Sequence, residues 1–256
     1  MMAVCGIAAL WLSWSGCNSD PLDVDLKGTE VNLVTKRLDQ DLFTLNPAAG
    51  EMDLEPLKEK YGRFLTDYSA GVLRIGAPDE PGFSLSIAQF ITDESMRSLY
   101  DDVQKQYADV SDLNGQFSES FRYFKYHFPD SAVPEIVYNI SAMNYAIVAT
   151  EGTLAIGLDM FLGADYPMYP MIGLPKYMFD NMKREQVVPQ AMKGWLQSMF
   201  EAETDRSTLL DYIVFEGKIL FVLDAVMRKT PDSVKIGFRP NSIEWCKTYE
   251  PRIWAH

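Results

Sequence analysis

The side chains best placed to do chemistry in this 256-residue chain are carboxylates, and Glu216 is the most unusual of them. It lies in Ser207–Met227, a stretch without proline in which Leu209, Ile213, Leu220, Leu223 and Met227 form one helical stripe. Glu216 follows Ile213 by three residues and precedes Leu220 by four, so it falls within that stripe. A helix with apolar residues on nearly every side belongs in a core. A carboxylate there has to be paired, protonated or bound to a cation. Glu151 sits in a turn between two strand-like runs and Asp159 ends the second of them. Brought into one open pocket, these three acids could carry hydrolytic acid–base chemistry. Kept apart, they are an internal charge held by a Lys, an Arg or backbone donors, and two solvated caps.

Other chemistries lack their residues. The histidines are His127 and His256, with no His-Glu-x-x-His and no cysteine pair at zinc spacing, whereas a catalytic zinc needs three protein ligands. His127, among aromatics and before Pro129, reads as a packing residue. Cys246, beside Trp245 on an amphipathic run, reads as a buried inert thiol. Gly-x-Ser-x-Gly, Walker and Gly-x-Gly-x-x-Gly motifs are missing, so neither cofactor nor metal is expected. The net charge of −13 argues against nucleic acid and against electrostatic docking onto anionic lipid.

The elements that must position these acids follow from periodicity. Val31–Leu45 starts as a strand, and Leu54–Tyr68 repeats at helical spacing. Gly76–Gly82 is a loop. Met96, Leu99, Val103 and Tyr107 make a helix stripe after Thr92, and Leu113–Tyr126 is a helix dense in aromatics. Val133–Ile140, Tyr145–Thr150 and Thr153–Leu158 predict three strands, the last two joined at Glu151-Gly152. Helices follow over Lys176–Lys183, Pro189–Glu201, Ser207–Met227 and Ser242–Ala255, with a short strand at Val234–Phe238. The expectation is an α+β fold, mostly helical, with a small antiparallel β-meander in the middle.

The N-terminus reads as an address. Residues 1–16 carry no charged side chain, and Val4–Leu12 is far shorter than the about 20 apolar residues of a membrane span. Ser15-Gly16-Cys17 looks like a lipobox, in which Cys17 would be lipidated after cleavage; Trp14 departs from the usual Leu-like residue. The missing basic segment points to a true start upstream of Met1. Residues 1–17 are thus expected to be a leader, 18–30 a polar tether, and 31–256 one domain.

An ordered set of short motifs carries a family resemblance. It runs through Tyr126-His127-Phe128-Pro129, Asn144-Tyr145-Ala146, Thr150-Glu151-Gly152-Thr153-Leu154 and Ile156–Gly163. Val187-Val188-Pro189, Trp195-Leu196, Phe215-Glu216-Gly217-Lys218-Ile219-Leu220 and Lys235-Ile236-Gly237-Phe238 follow, and Glu244-Trp245-Cys246 and Ile253-Trp254-Ala255 close it. The chain resembles the gliding-motility-associated lipoproteins of Bacteroidetes, the GldB-like family, over about Tyr126–His256 and in general layout before that. The resemblance implies an envelope lipoprotein tied to a motility and secretion apparatus, held to the membrane by its N-terminal lipid and partnered by other envelope proteins. It also implies a further segment beyond Ile253-Trp254-Ala255. A remoter likeness is to zinc peptidases in which a second helix supplies a Glu-Gly ligand. Here Pro189–Glu201 has neither histidine, Glu216-Gly217 would be the survivor, and Lys193 would neutralise Glu216 in place of the metal. The leading expectation is a non-enzymatic protein acting by contact; the competing one is a carboxylate hydrolase.

Overall fold

The computed structural model describes residues 20–47, 52–200 and 208–255. Its centre is one sheet of strands β1 (Thr35–Arg37), β2 (Glu135–Asn139), β3 (Ile147–Thr150) and β4 (Thr153–Gly157), in the order β1-β2-β4-β3. β1 pairs parallel with β2 and β2 parallel with β4; only β3 and β4 are antiparallel. The sheet is therefore mixed, which corrects the expected antiparallel meander. After β2 the chain passes through residues 140–146 to the far edge, runs back as β3, and turns at Glu151-Gly152 so that β4 enters between β3 and β2. Gly152 takes φ +75, the left-handed turn conformation that glycine adopts without strain. Every residue of β4 is buried, as in a strand covered on both faces.

The helices are α1 (Leu38–Phe43), α2 (Glu55–Tyr61), α3 (Arg63–Thr66), α4 (Phe83–Thr92), α5 (Glu94–Tyr107), α6 (Ser111–His127), α7 (Lys176–Phe179), α8 (Val187–Met199), α9 (Leu209–Val226), α10 (Asp232–Ile236) and α11 (Pro240–Ile253). Gly62, at φ +52, splits the run read as one helix, and a π-helix over Asp67–Leu73 follows α3. α4 was not expected; Phe83, Ile87 and Ile91 are its buried side, one every four residues. α5 starts at Asp93, whose side chain accepts from the Met96 N–H at 3.0 Å. The strand expected at Val234–Phe238 is instead α10, which ends at Gly237 with φ +73.

Phe117, Phe121 and Phe124 of α6 are fully buried in the core. α8 packs on β3, β4, α6 and α9, and α1 packs on β2. The segment read as a tether lies against this body. Asp20 and Asp23 pair with Arg228 at 2.5 and 3.1 Å, and the Arg122 guanidinium donates to the Thr29 and Leu26 carbonyls at 2.8 and 3.0 Å. Cys17 lies outside the described residues.

Candidate functional site

Open sheets with parallel strands generally bind ligands beyond the strands' C-terminal ends. Here that region is filled by the protein's own side chains. Asp159 follows β4, and its carboxylate, with no exposed surface, accepts from the Ser141 N–H at 2.8 Å, the Ser141 hydroxyl at 3.1 Å and the Met143 N–H at 2.6 Å. Burial pushes its carboxyl above the usual range, against the opposing pull of those donors. Tyr68, Tyr107 and Tyr169 donate from their hydroxyls to the carbonyls of Ile140, Phe161 and Asp159 at 2.7, 2.6 and 3.1 Å. Asp159 thus clamps the turn after β2, in which Ala142 and Met143 both hold the left-handed conformation at φ +53 and +59.

Gly157 completes the clamp. A Cβ there would lie 2.3 Å from the Tyr145 carbonyl oxygen and 3.0 Å from the Ser141 hydroxyl. Backbone cannot yield as a flexible side chain would, so Gly157→Ala is expected to cost about 3 kcal/mol, the upper end of overpacking effects. Thermal melting of the purified variant checks this; an unchanged midpoint would show that the turn can move away.

Glu216 has a different setting. It accepts from the Lys193 ammonium at 2.8 Å and the Gln197 amide at 2.7 Å, two α8 residues one turn apart. The pairing of α8 with α9 places Lys193 and Glu216 together. The burial expected of Glu216 needs correcting, for its side chain is 41% exposed and that of Lys193 34%. α9 turns Ile219, Leu223 and Val226 inward, while Leu209 and Ile213 of the expected core stripe are 76% and 52% exposed. A pair this accessible contributes at most about 1 kcal/mol.

Glu151 stands in the β3–β4 turn, exposed, 3.1 Å from Arg63. The three acids therefore lie on separate elements with separate partners, and Asp159 has no surface through which to meet a substrate. Among the described residues no group of three or more His, Cys, Asp or Glu is arranged to hold a metal. His127 has its Nε2 buried without a partner, and desolvation lowers its pKa. Cys246 is half-buried on α11, a helix with no buried residue, so the expected buried thiol is also corrected.

The sequence reading passed over the outer side of α9. Leu210, Val214 and Phe221, with Gly217 among them, form a second apolar stripe opposite Ile219 and Leu223, and all three large side chains are exposed. The apolar surround of the whole helix is its signal in the sequence, and only one side of it belongs to the core. Among the described residues, no atom outside its own helix backbone and chain neighbours lies within 4 Å of where a Gly217 Cβ would stand. An apolar face this continuous is the usual mark of a contact surface.

Fold and site together define a mostly helical protein built around a small mixed sheet, with its buried acid tied into internal structure and an apolar helix face left open. The family model for gliding motility protein GldB matches residues 19–256, and the chain belongs to that family. No curated protein and no solved structure matches it, and nothing likens it to a zinc peptidase. Among the described residues no helix is long and apolar enough to cross a membrane.

Proposed function

We propose that the protein is a non-enzymatic lipoprotein of the cell envelope, anchored through a lipid on Cys17 and acting by protein–protein contact in a motility and secretion apparatus. The GldB family membership supports the gliding-motility setting. The observation that carries the contact role is the open apolar stripe of α9, a surface that water alone covers poorly. The commitment of Asp159 to its clamp and of Glu216 to Lys193 weighs against hydrolysis by these acids. Lys193 and Gln197 already occupy the Glu216 carboxylate.

Two arms test this reading. Metabolic labelling with a fatty acid is expected to mark the wild-type protein and to leave Cys17→Ala unlabelled; equal labelling refutes the anchor. In detergent extracts of the envelope, wild type is expected in a complex larger than one chain. A Leu210→Ser, Phe221→Ser double variant is expected to run alone while losing no more than about 0.5 kcal/mol per exposed site. A wild type that already runs alone overturns the contact role.

A further inference from the structure

The two edges of the sheet are not alike. β1 is three residues long and carries Lys36 and Arg37, charges of the kind that blunt an edge. β3 reads Ile-Val-Ala-Thr, with no charge and no proline. Its hydrogen-bonding phase follows from the Gly157 N–H, which donates to the Ala146 carbonyl at 2.9 Å. Antiparallel pairs alternate between bonded and non-bonded, so Val148 and Thr150 bond to β4, opposite Ala155 and Thr153. The N–H and C=O groups of Ile147 and Ala149 then point outward, where among the described residues no further strand pairs with the sheet.

A trough runs beside that edge. Ile147 faces α8, its Cγ2 3.0 Å from where a Gly194 Cβ would stand, so alternation turns Val148 and Thr150 to the opposite face. There they line a cavity of about 380 Å³ with Asp67, Ala70, Gly71 and Val72 of the π-helix. The floor is small and apolar and the lip is acidic. Asp67 and Glu151 share one guanidinium, Arg63, at 3.9 and 3.1 Å, which leaves this end of the trough negative on a chain of net charge −13.

We infer that β3 receives an extended segment of a partner protein by strand addition, with main-chain bonds to Ile147 and Ala149, small apolar side chains in the trough, and basic residues against Asp67 and Glu151. Main-chain pairing supplies affinity in this mode, and the flanking pocket and charges supply selection. The inference sharpens the contact role proposed above and rests on it. A basic partner is favoured over a second copy of this chain, which would set the same acidic lip against itself.

The test uses the full chain in detergent and a short capped peptide in which valine alternates with serine and a lysine flanks each end, so that valines can enter the trough while a terminal lysine reaches Asp67 and Glu151. Amide hydrogen exchange is expected to slow at Ile147 and Ala149 on adding peptide and to stay unchanged at Val148 and Thr150. A copy of the peptide N-methylated at alternate amides should leave exchange unaltered, and one with aspartate in place of lysine should bind at least roughly tenfold more weakly. Ala149→Pro removes an outward donor without touching the β4 ladder and should abolish binding at an unchanged melting midpoint. If that variant does not fold, Val148→Lys serves, and is expected to reverse the preference from the lysine peptide to the aspartate peptide. Equal binding of the N-methylated peptide overturns the inference, as does unaltered exchange at the two amides. Protection of both amides before peptide is added, in a dimer, overturns it in favour of a second copy. No arm needs the lipid, so failure here is distinct from failure of the anchor.

Discussion

Asp39→Ala is expected to cost about 3–5 kcal/mol, the range for removing one partner of a buried ion pair. The Asp39 carboxylate has no exposed surface. It accepts from the Arg37 Nε at 2.8 Å and Nη2 at 2.6 Å, a two-pronged pairing, and from the Gln104 amide at 2.9 Å. The same Gln104 carbonyl oxygen accepts from Gln40 at 2.9 Å, and Arg37 Nη1 donates to the Ala108 carbonyl at 3.3 Å. One carboxylate thus joins the corner between β1 and α1 to the C-terminal end of α5. Truncation leaves a largely enclosed guanidinium without a counter-charge, which is why the loss exceeds that of a surface pair. β1 has only three residues of pairing with β2 and cannot supply the difference. For a chain of this size the melting midpoint should fall by roughly 10 °C. Asp39→Asn keeps one acceptor oxygen and should fall by less. A loss for Asp39→Ala within about 1 kcal/mol would mean that water replaces the carboxylate.

How much of this was legible in the sequence depends on what each element is surrounded by. α5 and α6 could be read because one side of each faces the core and the other faces water, so the 3.6-residue period survives in the pattern. The three strand segments after α6 were legible from their β-branched composition and the turn at Glu151-Gly152. Their order was not, since the hairpin turn at Glu151-Gly152 reads the same whether β3 or β4 lies next to β2. Burial decides it: β4 is covered throughout, β3 only in part. α4 was hidden because Phe83-Ser84-Leu85-Ser86-Ile87 alternates with the period of a strand, and its apolar residues include the exposed Leu85, while only Phe83, Ile87 and Ile91 face the core. The candidate acids show the limit most clearly. Sequence distinguished Glu216 by its apolar neighbours, but those neighbours divide between two sides of α9, one packed and one open. Only the packing of α8 against α9 reveals which side Glu216 lies near. Asp159 looked like an ordinary strand-end acid. Nothing local announces that two backbone donors of a turn eighteen and sixteen residues earlier converge on it.

That convergence gives the second large effect. Asp159→Ala removes the acceptor of two backbone N–H groups and a hydroxyl, and the two Ser141 donors among them are fully buried. Each buried donor left unmet costs about 1–3 kcal/mol, so a total of roughly 3–5 kcal/mol is expected in urea unfolding. The pH dependence carries its own sign. The folded carboxyl lies above its usual 3.8 because burial disfavours the charge. Between that value and the raised one, the folded chain holds more protons than the unfolded chain, so stability falls as pH rises through the window. Asp159→Asn has no proton to release there. The advantage of wild type over Asp159→Asn should therefore be largest at acidic pH and shrink toward neutral pH, and paired unfolding curves across that range measure it. An advantage that grows toward neutral pH would mean that the Ser141 and Met143 donors outweigh desolvation, which would make the turn a carboxylate-binding nest rather than a buried clamp. Either sign bears on the role of the turn, because residues 141–144 lead directly into β3. A turn held this firmly keeps the strand's outward amides in one register, and strand addition depends on that register.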